Sequence, residues 1–125
     1  MTEEKLIYII DDDKELCDTL KITLEARNYK VQCAYDGKQG QKIIQKKFPD
    51  LVVLDLKMPN MNGYELLNWL KLKSGLPQVP VIILTSLTKG SRKTDDEWKH
   101  SMGVEDFVTK PFNPLDLLKR VQNLL

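Results

Sequence analysis

The sequence is poor in the features that mark secreted and membrane-spanning proteins. It has only two cysteines, Cys17 and Cys33, without CxxC spacing, so we expect buried, reduced thiols rather than a disulfide or a metal pair. No apolar run approaches the roughly 18 residues of a membrane-spanning helix, and the chain does not open with a basic segment followed by an apolar one. These absences favour a cytoplasmic protein without membrane contact.

An excess of charge of one sign is also lacking. The 19 lysine and arginine residues nearly balance the 18 acidic ones, and the formal net charge is +1. The lysine-rich segment 38–47 and the basic segment 89–93 are not interleaved with aromatic residues, so we expect solvated faces and no direct nucleic-acid contact. His100 is the only histidine, lies in a polar segment and is expected at the surface.

Length and hydrophobic content fit a single globular domain. The chain has 125 residues, of which 42% are hydrophobic and 30% are charged. It contains no internal repeat and no low-complexity segment. We therefore expect one domain over residues 1–125 with one core.

Short apolar runs alternate with segments of helical periodicity. Strands are predicted at residues 6–10, 51–54 and 81–84, with weaker ones at 31–34 and 105–109. Helices are predicted over residues 13–28, about 38–47, from an N-cap at Asn62 to Gly75, over about 94–102, and after the cap Asn113 with Pro114 first. This alternation requires parallel pairing, so we predict an α/β fold with helices on both faces of the sheet.

Polar side chains follow four of the predicted strands. Asp11 and Asp12 follow the first, Asp55 the third, Thr85 the fourth and Lys110 the fifth. Ligands of open parallel sheets bind beyond the carboxyl ends of the strands. Three neighbouring carboxylates repel one another, and a hard cation such as Mg²⁺ relieves that repulsion. A lysine and a hydroxyl beside them suit a phosphoryl group, which a carboxylate can accept. The alternative is that the aspartates cap a helix or open a loop.

Five motifs in order resemble the response-regulator receiver domain of two-component signalling. They are Ile10-Asp11-Asp12, Val53-Leu54-Asp55-Leu56-Lys57-Met58-Pro59, Asn62-Gly63, Thr85-Ser86 and Phe107-Val108-Thr109-Lys110-Pro111-Phe112. The resemblance covers essentially the whole chain and is to a chemotaxis-regulator-like receiver domain. It implies a flavodoxin-like, doubly wound sheet of five parallel strands in the order 2-1-3-4-5, with five helices.

The resemblance also implies a role for each site residue. Asp55 would accept the phosphoryl group. Mg²⁺ would be held by Asp12, by Asp55 and by the backbone carbonyl of Lys57, and Asp11 would support it through water. Lys110 would pair with a phosphoryl oxygen, and the Lys110–Pro111 peptide bond is expected to be cis.

A switch is implied as well. Thr85 would hydrogen-bond the phosphoryl group, and Phe107 would move inward in response, which changes the face formed by helix 4, strand 5 and helix 5. Phe107 replaces the tyrosine often found there, and the segment 87–93 is longer than in common members. Trp98 is expected to pack in the core, with an exposed contact for an output partner as the alternative.

Partners follow from the same resemblance. A histidine kinase or histidine phosphotransfer protein would donate the phosphoryl group, and a downstream output protein or domain would read the switch. The domain would be a monomer or a phosphorylation-dependent homodimer. It would not be a turnover enzyme, although it would assist its own phosphorylation and dephosphorylation.

Two other classes fit the pattern less well. An aspartyl-nucleophile phosphohydrolase of similar topology usually has a second carboxylate two residues after the nucleophile, where this chain has Lys57. A flavin-binding electron carrier needs a phosphate loop rich in glycine and hydroxyl residues after the first strand. Three acids at residues 11–13 occupy that place and would repel the cofactor's phosphate.

Overall fold

The computed structural model describes residues 4–73 and 75–125, except for the side chain of Lys73. Within them, one sheet contains five parallel strands in the order β2-β1-β3-β4-β5. The strands are β1 Leu6–Ile10, β2 Lys30–Ala34, β3 Leu51–Leu54, β4 Val81–Thr85 and β5 Asp106–Thr109. The predicted fold class and strand order are confirmed.

Helices connect successive strands and cover both faces of the sheet. They are α1 Lys14–Glu25, α2 Gly37–Lys46, α3 Gly63–Asn68, α4 Asp95–Met102 and α5 Pro114–Leu124, and a π-helical turn, Trp69–Lys73, follows α3. The segment 86–94 between β4 and α4 contains turns but no helix or strand. No helix of the described residues is both long and apolar enough to cross a bilayer.

The three central strands are buried on both faces, which explains their continuous apolar sequences. Tyr8 and Ile10 point to one face and pack with residues of α2, α3 and α4. Ile7 and Ile9 point to the other face and pack with residues of α1 and α5. Side chains alternate along a strand, so each strand contributes to two apolar layers.

Local capping explains why the helix starts were predictable. The Asp13 side chain accepts a hydrogen bond from Leu16 N at the start of α1, and Asn62 and Thr94 each form a capping box. Asn113 caps α5, whose first residue is Pro114. These side chains satisfy amide groups that have no partner inside the helix.

Helix ends differ more from prediction. The predicted helix 13–28 ends at Glu25, because the chain turns through Asn28 in the left-handed conformation, with φ 68°. The third helix changes from α to π geometry at Trp69, which shifts the register of the side chains that follow. Gly75 has φ 70°, as expected for the residue that ends this segment.

Gly63 allows α3 to begin against the backbone that follows β3. A Cβ atom on Gly63 would lie 2.1 Å from the carbonyl oxygen of Asp55 and 2.6 Å from the Cα of Leu56. The Gly63 amide donates to the Leu56 carbonyl at 3.0 Å. Glycine at residue 63 therefore permits the close approach of α3 to the backbone of Asp55 and Leu56.

Replacement of Gly63 by alanine should lower the free energy of unfolding by about 2–3 kcal/mol, because the new methyl group meets immobile backbone atoms. Urea denaturation measures this loss. Tyr64→Ala is the control, since Tyr64 is the next residue of α3 and is half exposed. Equal losses in the two variants would contradict the expected clash.

Candidate functional site

Backbone hydrogen bonds bring Asp11, Asp55 and Lys110 together at the carboxyl edge of the sheet. The Asp11 amide donates to Ala34 O at 3.0 Å, the Asp55 amide to Ile10 O at 2.9 Å, and the Lys110 amide to Thr85 O at 2.8 Å. Each bond continues a strand pairing by one residue. The site residues are therefore fixed by the sheet itself and not by flexible loops.

Three carboxylates form a compact group at this edge. One oxygen from each of Asp11, Asp12 and Asp55 can be chosen so that all lie within 4.8 Å of one another. Asp11 and Asp55 are buried, whereas Asp12 is exposed. A hard, oxygen-preferring cation that keeps several water ligands fits this set, because one side of the group is open to solvent.

The Lys110 ammonium group lies between the two buried carboxylates. Its Nζ atom is 2.7 Å from Asp11 Oδ2 and 3.5 Å from Asp55 Oδ2. The second oxygen of the Asp11 carboxylate, Oδ1, accepts a hydrogen bond from the Asp13 amide at 2.9 Å. Oδ1 of Asp55 likewise accepts one from the Lys57 amide at 3.3 Å. The Lys110–Pro111 peptide bond is cis, as the resemblance implied.

Burial and charge act in opposite directions on these groups. Burial raises the pKa of Asp11 to about 6, although the hydrogen bonds from Lys110 and the Asp13 amide oppose the rise. Burial would lower the pKa of Lys110, but its hydrogen bonds and charge interactions with Asp11 and Asp55 together outweigh that effect and raise it. The Lys110 ammonium group thus offsets part of the negative charge that the two buried carboxylates bring together.

Thr85 and Phe107 lie on neighbouring strands behind this edge. Thr85 is fully buried, and its Oγ1 accepts from the Leu87 amide at 3.3 Å. Phe107 is also fully buried and stacks on Trp98, with ring centroids 6.1 Å apart and an interplanar angle of 17°. Trp98 is partly buried against the core, so the expectation of core packing holds for that side of its ring.

Other sequence expectations have plain outcomes. Cys17 and Cys33 are free thiols; Cys17 is buried, as expected, whereas Cys33 is only partly buried. His100 is exposed and lies 3.5 Å from Asp96. The lysines of α2 at positions 38, 42 and 46 are exposed.

Two supporting residues were not predicted. The Cys17 thiol donates to the Asp11 carbonyl at 3.4 Å, so α1 holds the backbone of a site residue. Asn60 has φ 64° and donates to Asp36 Oδ2 at 3.0 Å, which ties the loop after Asp55 to the start of α2. The Asn60 position could have been suspected from the turn preference of asparagine, but its partner is distant in sequence.

Replacement of Asp11 by asparagine should change how stability depends on pH. The pKa of Asp11 in the folded protein, about 6, lies above its ordinary value of 3.8. The folded state therefore gains stability from proton binding below the ordinary pKa and loses that gain as pH rises through the folded value.

Relative to Asp11→Asn, which cannot ionise, the free energy of unfolding of the metal-free wild type should fall by about 2–3 kcal/mol from pH 4 to pH 7. Urea titrations with a chelator present measure the difference at each pH. A difference that stays constant over this range would contradict the raised pKa.

Comparison with known proteins supports a single family. The family model described as "Response regulator receiver domain" matches residues 7–122. Response regulator GtcR of Aneurinibacillus migulanus is 37% identical over 118 residues, which are 94% of this chain and 46% of that protein. The DNA-binding dual master transcriptional regulator RpaA of Synechocystis sp. is 37% identical over 119 residues, 95% of this chain and 48% of that protein. The chain thus spans about half the length of these relatives.

Solved structures agree. The chemotaxis response regulator CheY4 of Vibrio cholerae superposes with a TM-score of 0.83 and 29% identity, over 98% of this chain and 100% of that one. The receiver domain of the Francisella response regulator 1452 gives a TM-score of 0.83 and 30% identity, over 97% of this chain and 96% of that one. The chain therefore belongs to the response-regulator receiver domain family of two-component systems.

Proposed function

We propose that residues 1–125 form a receiver domain that accepts a phosphoryl group on Asp55. The observation that supports this proposal most directly is the position of the Lys110 ammonium group between two buried carboxylates at the carboxyl edge of the sheet. Asp55 is the acid of the group that follows the central strand β3. A buried carboxylate with a lysine beside it can act as a nucleophile towards phosphorus.

The acidic group suits Mg²⁺. Asp12, Asp55 and the backbone carbonyl of Lys57 would hold the ion, and Asp11 would support it through water. These are hard oxygen donors. The bound cation would supply positive charge next to the phosphoryl oxygens.

The protein's own residues would then perform the transfer. A carboxylate oxygen of Asp55 forms a bond to the phosphorus atom of a phosphohistidine, and the bond between phosphorus and the imidazole nitrogen breaks with its electron pair remaining on nitrogen. Lys110 leaves the Asp11 and Asp55 carboxylates and donates a hydrogen bond to one phosphoryl oxygen. The Thr85 hydroxyl donates a hydrogen bond to a second phosphoryl oxygen. Both groups stabilise the charge on the transferred group.

The ring stack of Phe107 and Trp98, which lies behind the site, would transmit the signal to an output partner. Movement of Thr85 towards the phosphoryl group gives Phe107 room to shift, and Trp98 is in contact with Phe107. The face of α4, β5 and α5 would change between two populated states. A histidine kinase or histidine phosphotransfer protein would donate the group in the cytoplasm. An output protein or domain, or a second copy of this chain, would bind the changed face.

The phosphohydrolase alternative is disfavoured. Lys57, two residues after Asp55, is exposed and carries no carboxylate that could act as a general acid. In line with the family, the domain would assist its own phosphorylation and dephosphorylation and would not turn over a separate substrate.

Replacement of Asp55 by asparagine should abolish acyl-phosphate formation from acetyl phosphate and Mg²⁺, because the amide lacks a nucleophilic oxygen. Intact-mass spectrometry measures the added phosphoryl group. Asp18→Asn, which changes an exposed acid on α1, should be labelled like the wild type. Full labelling of Asp55→Asn would refute the assignment of the nucleophile.

Replacement of Asp12 by asparagine should weaken Mg²⁺ binding at least about tenfold, because one charged ligand is lost. Isothermal titration calorimetry measures the affinity. Asp13→Asn is the matched control, since asparagine can still cap α1 through its side-chain oxygen. Equal affinities in the two variants would exclude Asp12 as a ligand.

A further inference from the structure

The Asp95 carboxylate of α4 accepts two hydrogen bonds from Thr109, the last residue of β5. Asp95 Oδ2 accepts from the Thr109 amide at 3.1 Å, and Asp95 Oδ1 accepts from the Thr109 hydroxyl. The Thr109 hydroxyl also lies 3.4 Å from that of Thr88. Because Thr109 gives its proton to Asp95, Thr88 is the donor in that second contact. Both hydrogen-bonding groups that Thr109 directs towards α4 are therefore held by one side chain.

Thr109 has a special position relative to the site. It pairs with Thr85 across the sheet and directly precedes Lys110, whose amide donates to Thr85 O at 2.8 Å. Successive amides of a strand point in opposite directions. The sheet thus holds the Lys110 amide on one side of the chain, and Asp95 holds the Thr109 amide on the other.

Asp95 is not needed as a helix cap. The capping box of α4 is formed by Thr94 and Glu97. The neighbouring acid, Asp96, is 69% exposed in its side chain and pairs with Lys99 and His100 of its own helix. Of the three acids in the first turn of α4, Asp95 is the one whose side chain is seen to hydrogen-bond to β5 among the described residues.

We propose that Asp95 is a positioning residue for Lys110, which it orients through its two hydrogen bonds to Thr109. We call this pair of hydrogen bonds the clamp. The inference rests on the proposed function of Asp55 and adds a residue that acts on the same site from a distance. With the clamp in place, the backbone that carries Lys110 is fixed from both sides. The Lys110 ammonium group is then already beside the Asp11 and Asp55 carboxylates when the phosphoryl group arrives.

The first experiment measures the rate of Asp55 labelling by acetyl phosphate and Mg²⁺, using intact-mass spectrometry. Asp95→Ala should label about tenfold more slowly, since small displacements of a group that stabilises the transferred charge cost this much or more. Asp96→Ala is the matched control and should label at the wild-type rate. Asp95→Asn should recover most of the rate, because its amide can accept from the Thr109 amide and donate to the Thr109 hydroxyl.

A second measurement separates positioning from general loss of structure. In a Lys110→Ala background, Asp95→Ala should cause no further fall in the labelling rate, because the group that it positions is gone. The change in thermal unfolding temperature that Asp95→Ala causes should be the same with and without Lys110. If Asp95→Ala does not fold, Thr109→Val replaces it, since valine keeps the amide contact with Asp95 and removes the hydroxyl contact. Thr109→Val should lower the labelling rate about threefold, and this fall should also vanish in the Lys110→Ala background.

Three outcomes would overturn the proposal. They are an unchanged or faster labelling rate in Asp95→Ala, an equal fall with and without Lys110, and a failure of Asp95→Asn to recover the rate. Asp55→Asn is run in parallel. Persistent labelling of that variant would instead refute the proposed function, so the two failures can be told apart.

Discussion

The site depends on how buried negative charge is balanced at one edge of the sheet. Backbone hydrogen bonds fix the main chain of Asp11 and Asp55 there, and their carboxylates lie close together. Lys110 supplies a positive charge at 2.7 Å from one and 3.5 Å from the other, and solvent reaches the group through Asp12. The strand ends, the bond from Cys17 to the Asp11 carbonyl and the tight approach of Gly63 to Asp55 all hold these charges in place.

The sequence was sufficient for the features that local chemistry decides. Apolar runs located the central strands, since residues such as Ile9 and Val53 must be buried on whichever face they point to. Side-chain caps located the helix starts, because Asp13 and Asn62 bond to amides only three residues away. The grouping of Asp11, Asp12, Asp55 and Lys110 followed from the strand ends, as parallel strands place their carboxyl ends at one edge.

Features that depend on distant contacts were not predictable. Asp95 and Asp96 are adjacent acids of equal local character, yet one clamps β5 and the other faces solvent. Only the packing of α4 against β5 distinguishes them. The end of α1 and the π-helical turn after α3 likewise reflect backbone geometry at Asn28 and Trp69, which the apolar spacing of these segments does not encode.

The carboxylates beside β5 have a further consequence for the edge of the sheet. As an outer strand, β5 turns the amides of Phe107 and Thr109 away from β4. The first donates to Asp106 Oδ1 at 2.8 Å and the second to Asp95. Both amides that an incoming strand would need are therefore already bonded to acidic side chains. This edge is therefore a poor template for strand addition, which protects the domain against aggregation through that strand.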